Sequence, residues 1–254
     1  MGILNITRDS FSDGGEYYTT ENAIARLNQL VREGADIIDI GAESTKPGAK
    51  EISAQNQLEH IIPVLTYARE NDISIPISID TRNAEVAKKC IELGATIIND
   101  VSGFDFDPNM INVMAANPNI KIVLQHSKGT PENMQNSPHY DNLMDEIYIN
   151  LENKVKNAVE MGIHKENIII DPGIGFGKTR EHNFEILKRW SELKTIGCPV
   201  LIGISRKSLL NNPQAANEEK DVYTTALNAI LIDKNIDYIR VHNVSMHKKL
   251  LSLL

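Results

Sequence analysis

The stretch IIIDPGIGFG, residues 168–177, decides the fold because it joins an apolar run directly to a polar turn. Three consecutive isoleucines are typical of a parallel β-strand that is covered on both faces. Asp171 follows them at once, and a carboxylate at the end of an apolar strand must find hydrogen-bond donors or stay hydrated. The question is which donors this acid meets.

The same order, an apolar run closed by a polar residue or a glycine, recurs along the chain. The candidate strands are Gly2–Ile6, Ile37–Ile40, Ile75–Ile79, Thr96–Ile98, Lys121–Leu124, Ile168–Ile170, Val200–Ile204 and Tyr238–Val241. Segments of helical period lie between them, for example from Leu58 to Ala68 and from Leu143 to Val159. Eight strand–helix units without a linker predict one (β/α)8 TIM barrel domain over residues 1–254. A doubly wound open sheet is the alternative, because a sequence does not reveal ring closure.

Composition excludes several functional classes. The chain has 254 residues, 41% of them hydrophobic, and a formal net charge of −8. An acidic protein has no general affinity for nucleic acid or for anionic membranes. No apolar run approaches the roughly 20 residues that span a bilayer, and the opening residues do not resemble a signal peptide. Only two cysteines occur, far apart, so we expect reduced thiols and a cytoplasmic location.

The strand ends carry an unusual number of functional groups. In a barrel the active site lies at the carboxyl ends of the strands. In chain order these ends offer Asn5, Glu43 with Ser44 and Thr45, Asp80, Asn99 with Asp100, Gln125 with His126, Asp171, Arg206 with Lys207, and Arg240 with His242. Arg240 and His242 are two residues apart on one strand, which predicts that both point to the same face. The segment SRKS, 205–208, leads toward a predicted helix start, where backbone N–H groups favour an anion.

Each of these residues also has a structural interpretation. Asp80 and Asn99 resemble ordinary caps, Asp171 before a proline resembles the start of a turn, and His126 fits a hydrogen-bonded core histidine equally well. The segment GIGFGKT, 173–179, is not a phosphate loop, because that pattern requires glycine where Pro172 stands. Its glycines also lack the spacing of a dinucleotide fingerprint. We interpret them as a mobile loop that carries Phe176 to a ligand.

The groups together predict a ligand with two chemically different halves. Asp80, Asn99 and Asp171 suit a heterocycle with several N–H donors, because a carboxylate accepts two hydrogen bonds at once. Asn5, Arg240 and His242 suit a phosphorylated leaving group, with a magnesium ion.

Seven segments resemble, in order and spacing, the signatures of bacterial dihydropteroate synthases. They are MGILNITRDSFSDGG, DIIDIGAESTKPGA, SIDT, IINDVSG, IIIDPGIGFGKT, GISRKS and IRVHNV. The resemblance covers essentially the whole chain, and seven segments in register are far more specific than any one. It implies a (β/α)8 barrel, usually a homodimer, that joins 6-hydroxymethyl-7,8-dihydropterin pyrophosphate to p-aminobenzoate in folate synthesis and is the target of sulfonamides.

The resemblance also implies roles for individual residues. The pterin would be bound by Asp80, Asn99, Asp171 and Lys207; pyrophosphate and Mg²⁺ by Asn5, Thr45, Arg240 and His242; and p-aminobenzoate by Phe11, Pro47, Phe176 and Ser208. Asn5 is the expected metal ligand. The catalytic set would be Asp13, Thr45, Lys46, Lys207, Arg240 and His242, with Asp13, Thr45 and Lys46 on two mobile loops that close over the reaction.

The chain departs from the family pattern at a few positions. Arg8 replaces a proline, Lys46 replaces an arginine, and LQHSKG, 124–129, replaces Leu-Met-His-Met-Gln-Gly. Lysine does not reproduce the forked donors of arginine. Two alternative functions remain open: a pterin-dependent methyltransferase, which shares the barrel and the Asp/Asn pterin contacts, and a non-catalytic pterin-binding paralogue.

Overall fold

The computed structural model describes residues 1–6, 19–44, 49, 51–129, 133–210 and 215–253. Strands and helices alternate along these residues. The strands are β1 (Gly2–Asn5), β2 (Ile38–Gly41), β3 (Ile77–Asp80), β4 (Ile97–Asp100), β5 (Lys121–Gln125), β6 (Ile168–Asp171), β7 (Leu201–Ile202) and β8 (Tyr238–Ile239). The helices are α1 (Thr20–Arg32), α2 (Ala54–Glu70), α3 (Ala84–Glu92), α4 (Met110–Ala115), α5 (Leu143–Glu160), α6 (Arg180–Arg189), α7 (Asn217–Asp233) and α8 (Val244–Leu251).

The strands form a closed ring in sequence order. β1 to β6 make one parallel sheet with neighbours in chain order, and β7 pairs with β8 in parallel. Isolated parallel bridges from Ile170 to Val200 and from Gly2 to Val241 join the two sheets at both sides. A doubly wound sheet would reverse its strand order at a switch point, and this order never reverses. The prediction of a (β/α)8 barrel is therefore confirmed, and the open-sheet alternative is wrong.

The strands differ from the predicted segments at their ends. β3 begins after Pro76, which lacks the N–H that a ladder position needs and whose carbonyl accepts from Ile38 N–H at 3.1 Å. β7 and β8 are only two residues long, shorter than the predicted Val200–Ile204 and Tyr238–Val241. Their neighbouring residues still contribute ring hydrogen bonds, such as Val241 N–H to the Met1 carbonyl at 2.9 Å.

Apolar side chains fill the barrel interior on the side opposite the carboxyl ends of the strands. Met1, Ile37, Ile97, Val123, Ile169 and Leu201 form a cluster separate from the larger core, and Tyr238 packs against it. The larger core lies between strands and helices and includes Ile38, Ile40 and Ile170. Because side chains alternate along a strand, the residue two positions after each member of the inner cluster faces inward as well. That next layer contains the polar groups.

The helices begin at side-chain caps and cover the outside of the ring. Thr19, Ser53, Asn83, Asn142 and Thr179 accept hydrogen bonds from first-turn N–H groups of α1, α2, α3, α5 and α6, which satisfies donors that have no partner within a helix. The predicted helical segments Leu58–Ala68 and Leu143–Val159 lie inside α2 and α5. Within the described ranges, no helix has the length and apolarity to cross a bilayer.

Candidate active site

Three predicted ligand-binding side chains converge in the barrel interior at the carboxyl ends of β3, β4 and β6. The sheet register places Asp80 opposite Asn99 and places Asp171 opposite Gln125. Asp80, Asn99 and Asp171 are 7%, 3% and 6% exposed. They lie one layer above the apolar cluster. A ligand that reaches them is therefore largely removed from water.

Asp39 is an additional member of this layer that the sequence interpretation missed. It lies in β2, is fully buried, and its Oδ2 accepts from Arg240 Nε at 2.5 Å and from Asn99 Nδ2 at 3.1 Å. A charged residue inside the run IIDIG was the available signal, since a strand covered on both faces has no ordinary place for an acid.

Arg240 bridges two carboxylates that lie on the neighbouring strands β2 and β3. Besides its contact with Asp39, its Nη2 donates to Oδ2 of Asp80 at 2.7 Å. Burial lowers the pKa of Arg240, but Asp39 and Asp80 more than offset this effect, so its pKa is raised overall. Burial raises the pKa of Asp80 to about 7 despite the opposing charge of Arg240. The guanidinium therefore remains charged within the polar layer.

Asp171 is held by the turn that follows it. Gly173 N–H donates to its Oδ1 at 2.7 Å. One carboxylate oxygen of Asp171 therefore has the turn contact that the structural interpretation predicts. Burial raises the pKa of Asp171, and the charge of Lys207 opposes the rise. Gly173 has φ +71°, and a Cβ there would lie 1.9 Å from the His126 carbonyl oxygen, which requires glycine at this position.

Lys207 reaches the site because the residue before it has an unusual backbone. Arg206 has φ +59°, a left-handed conformation that a non-glycine residue keeps only when its surroundings fix it. Its guanidinium donates two parallel hydrogen bonds to Asp221 at 2.7 and 2.8 Å. Lys207 Nζ donates to the Ile174 carbonyl and lies 4.8 Å from the ring centre of Phe176. Burial lowers the pKa of Lys207 to about 8, and Asp171 partly offsets the shift.

The SRKS segment does not lead directly into a helix. A three-residue 3-10 turn, Ser208–Leu210, follows it, and α7 begins only at Asn217. The helix start at Ser208 is thus that of a short 3-10 helix and not of α7, and its binding of an anion stays a prediction. Ser208 itself is exposed at the end of the segment, where it borders the open side of the site.

His242 and Arg240 contact different neighbours, although they are two residues apart. Oγ of Ser205 accepts from the His242 N–H at 3.1 Å and lies 2.9 Å from His242 Nδ1. A hydroxyl both donates and accepts, so Ser205 Oγ is able to donate to Nδ1 in the tautomer that carries its proton on Nε2. Arg26 Nη2 donates to the His242 carbonyl, which fixes the backbone after β8.

The glycine-containing loop after β6 is tied to the loop after β5. Tyr140 Oη donates to the Gly177 carbonyl at 2.8 Å, and Lys178 Nζ donates to the Phe176 carbonyl at 3.0 Å and to Nδ1 of His126 at 2.9 Å. Burial lowers the pKa of His126 to about 2. His126 is thus a neutral core histidine, and hydrogen bonds connect the loop to its surroundings at Phe176 and Gly177. The mobility of this loop stays a prediction.

Glu43, another acid from the strand ends, belongs to a structural pair. Its two oxygens accept from Nε and Nη2 of Arg82 at 3.0 and 2.9 Å. The Arg82 guanidinium also lies 3.9 Å from the ring centre of Phe106. Both oxygens of Glu43 are therefore engaged by one guanidinium.

Some of the predicted residues lie outside the described residues. They are Arg8, Phe11, Asp13, Thr45, Lys46 and Pro47. Asn5, at the end of β1, is half-buried and pairs in register with Gly41. Within the described part of the chain, no group of three or more His, Cys, Asp or Glu side chains is arranged to hold a metal ion.

Comparison with known proteins agrees with this geometry. The family model for pterin binding enzymes matches residues 1–242. A dihydropteroate synthase of Synechocystis sp. is 43% identical over 246 residues, which cover 96% of this chain and 84% of that enzyme. The structure of Yersinia pestis dihydropteroate synthase with a sulfonamide drug has a TM-score of 0.93 at 35% identity and covers 99% of this chain and 91% of that one.

A further relative was solved with a product. The dihydropteroate synthase of Xanthomonas albilineans in complex with 7,8-dihydropteroate has a TM-score of 0.85 at 30% identity and covers 99% of this chain and 89% of that one. The chain therefore belongs to the family of pterin binding enzymes and, within it, to the dihydropteroate synthases, which are transferases of folate biosynthesis. These relatives are synthases, so they favour that activity over the methyltransferase alternative.

Proposed function

We propose that the site joins 6-hydroxymethyl-7,8-dihydropterin pyrophosphate to p-aminobenzoate, giving 7,8-dihydropteroate and pyrophosphate. The observation that carries the proposal is the buried layer of Asp80, Asn99 and Asp171, with Lys207 beside it, above an apolar floor. A guanidine-like heterocycle edge with several N–H donors matches these acceptors. The ammonium of Lys207 would donate to the oxo and ring-nitrogen side.

Arg240 and His242 would hold the pyrophosphate. A guanidinium has five N–H donors, and among the described residues Arg240 uses two of them, one to Asp39 and one to Asp80. The others are available for phosphate oxygens beside the pterin. His242, oriented by Ser205, would donate its Nε2 proton to the same group.

Magnesium fits as a substrate-bound ion. Mg²⁺ usually keeps several waters and takes one or two protein oxygens together with substrate phosphates, so a cluster of acidic side chains is not required. Asn5 supplies one amide oxygen at the end of β1. The ion, when bound, would neutralise charge that develops on the departing pyrophosphate.

The second substrate would lie between Phe176, Ser208 and the aliphatic part of Lys207. Lys207 Nζ is 4.8 Å from the Phe176 ring centre, so the two side chains form one wall. Phe11 and Pro47 would complete this subsite. Sulfonamides, which have an aniline ring and an anionic group as p-aminobenzoate does, would compete there.

The reaction needs no strong base. The C–O bond to pyrophosphate breaks first, its electron pair leaves with the phosphate, and the pterin ring delocalises the positive charge. The neutral aniline nitrogen then forms the C–N bond and loses its proton to solvent or to the leaving group. Arg240 and His242 stabilise the departing charge, and closure of the loops with Asp13, Thr45 and Lys46 would exclude water.

Release of pyrophosphate is the direct test. The purified protein should release pyrophosphate from the pterin substrate only with Mg²⁺, and faster with p-aminobenzoate, while 7,8-dihydropteroate appears in equal amount. Pterin binding without release under all conditions would support the non-catalytic paralogue instead. Transfer of a methyl group without use of p-aminobenzoate would support the methyltransferase.

A homodimer is also part of the proposal. The outer face of α7 carries apolar side chains, because Val222, Tyr223 and Ile230 on it are 53%, 41% and 53% exposed. Leu251 on the adjacent α8 is 44% exposed. Exposed apolar side chains on neighbouring helices are typical of a subunit interface. Sedimentation should show a dimer that Ile230→Glu dissociates, whereas Ile149→Glu, an equally exposed position on α5, should not.

We also propose that residues 1–254 form one cytoplasmic domain. The family match over residues 1–242 and the single ring of strands support one unit. Cys90 and Cys198 are buried free thiols, as expected in a reducing compartment. Fractionation of cells that produce the native protein would test its location.

A further inference from the structure

Asp39 has no direct place in the proposed contacts with substrate, yet it lies at the centre of the polar layer. It is in register with Ile3 on β1 and with Ser78 on β3, and Ile38 and Ile40 on either side of it belong to the core outside the strands. Its side chain therefore points into the barrel. There it is completely buried, below the level of Asp80.

One oxygen of Asp39 joins the two halves of the site. Oδ2 accepts from Nε of Arg240, which would hold pyrophosphate, and from Nδ2 of Asn99, which would hold the pterin. Through Arg240 the contact extends to Asp80 at 2.7 Å. No other carboxylate within the described residues receives hydrogen bonds from both of these side chains.

The contact decides which way the Asn99 amide points. The orientation of an amide is assigned from its hydrogen bonds, and an ionised carboxylate only accepts, so Asp39 selects the orientation with Nδ2 toward itself. The Asn99 Oδ1 atom is then turned away from Asp39. It is buried and has no hydrogen-bond partner among the described residues. An orphaned acceptor costs free energy unless a ligand N–H meets it, and the proposed pterin supplies such a donor.

Stability alone is a weak explanation for Asp39. Replacing a buried ion pair by well-packed apolar groups is often neutral or stabilising, and the layer directly below Asp39 in the barrel is apolar. The Oδ1 atom of Asp39 also has no partner among the described residues, so the pair is not optimised as a structural contact. The contacts of Asp39 instead fix the orientation of the Arg240 and Asn99 side chains.

We propose that Asp39 is a positioning residue that orients the Arg240 guanidinium toward the pyrophosphate and the Asn99 amide oxygen toward the pterin. The inference rests on the proposed roles of Arg240 and Asn99. Removing the charge of Asp39 frees the Asn99 amide to turn and removes the acceptor that fixes Nε of Arg240. Both halves of the substrate then lose alignment together.

The test compares Asp39→Asn with two controls. Ser78→Ala alters the buried register neighbour of Asp39, and Asp36→Asn removes an exposed carboxylate that pairs with Lys248 at 2.7 Å. We expect Asp39→Asn to lower kcat by about 10- to 100-fold, the loss typical of small misplacements of reacting groups. It should also weaken the binding of both a phosphate-free pterin and pyrophosphate. Both controls should keep the wild-type affinities and kcat.

Three outcomes separate the possibilities. If Asp39→Asn binds both ligands and turns over as the wild type does, the inference is overturned. If the wild type itself releases no pyrophosphate, the proposed function fails, and the binding of the two ligands still tests Asp39. If Asp39→Asn does not fold, Asp39→Glu keeps the charge and moves the oxygens by one methylene group; unchanged ligand affinities and kcat in that variant would show a purely structural ion pair.

Discussion

The inner polar layer of the barrel and the outer junction, where Glu43 after β2 meets Arg82 after β3, use the same residue types for different tasks. At the outer junction, both oxygens of Glu43 accept from one arginine, Arg82, which also stacks on Phe106. In the inner layer, Arg240 divides its donors between Asp39 and Asp80, and Asp39 and Asn99 each keep one buried oxygen without a partner among the described residues. In the Glu43–Arg82 pair both carboxylate oxygens have a partner, whereas the inner layer keeps acceptors that a ligand N–H would satisfy.

Asp171→Ala should break the inner layer most completely. The variant removes a charged acceptor from the pterin site, and loss of such a hydrogen bond costs about 1.5–3 kcal/mol or more, which corresponds to at least a tenfold loss of affinity. The fold should persist because the strand hydrogen bonds of β6 do not involve this side chain. Titration with a phosphate-free pterin measures the effect, and unchanged affinity would remove Asp171 from the site.

Arg240→Ala and His242→Ala should separate the two halves of the ligand. We expect pyrophosphate binding and turnover to fall far more than binding of a phosphate-free pterin, because these side chains stabilise the leaving group. Arg240→Ala also leaves two buried carboxylates unpaired, so it should lose about 3–5 kcal/mol of stability. His242→Ala should not lose that stability. Equal losses for both ligands in His242→Ala would make the residue structural.

Arg82→Ala should show the opposite pattern at the outer junction. Leaving Glu43 buried and unpaired should cost about 3–5 kcal/mol of unfolding free energy, measured by urea denaturation. Pterin affinity should remain close to that of the wild type at temperatures where the variant is folded. A selective loss of pterin affinity without a loss of stability would contradict the distinction between the two regions.

The pH dependence of pterin binding should reflect the inner layer. Burial raises the pKa of Asp80 to about 7 and lowers the pKa of Lys207 to about 8. Affinity for a phosphate-free pterin should therefore fall below pH 7, as Asp80 gains a proton and loses acceptor capacity, and fall above pH 8, as Lys207 loses its charge. Lys207→Met should remove the high-pH decrease and keep the low-pH one.

The same groups affect stability in a defined direction. The folded-state pKa of Lys207 lies below its ordinary value of 10.5, so the unfolded chain binds the proton more tightly. The unfavourable contribution of Lys207 is complete below pH 8 and disappears as the pH rises from about 8 to 10.5. In the wild type the free energy of unfolding should rise over this interval relative to that of Lys207→Met, and an identical pH profile for both proteins would contradict the assignment.

Substitutions at Lys46 should have the smallest effect. A lysine keeps the charge but lacks the two parallel N–H contacts of arginine, so Lys46→Arg should raise kcat or tighten p-aminobenzoate binding and leave pterin affinity nearly unchanged. Lys46→Ala should lower both kcat and p-aminobenzoate affinity. Steady-state kinetics of the two variants would decide, and wild-type parameters in Lys46→Ala would show that this cation is only a solvated loop residue.

The sequence was sufficient for the eight strand–helix units and for most of the polar layer, whereas closure of the ring was decided by the structure. Runs such as IIID and SID place their acids at strand ends through local rules of burial and alternation, and a barrel brings all strand ends to one face. Asp80, Asn99 and Asp171 were therefore identifiable without coordinates. The resemblance of seven segments to one enzyme family then indicated the chemistry.

Only the tertiary structure decided which charged groups meet each other. Asp39 and Arg240 are 201 residues apart in the chain, and no local pattern encodes that the residue after β8 reaches a side chain of β2. The pairing of Arg206 with Asp221, 15 residues further along the chain, and the contact between the loops after the adjacent strands β5 and β6 are also tertiary contacts. Strand ends follow from nearest-neighbour sterics, whereas the partner of a buried charge depends on which side chains the closed barrel brings together in its interior. The sequence shows an acid at Asp39, and only the tertiary structure shows that it meets Arg240 and Asn99.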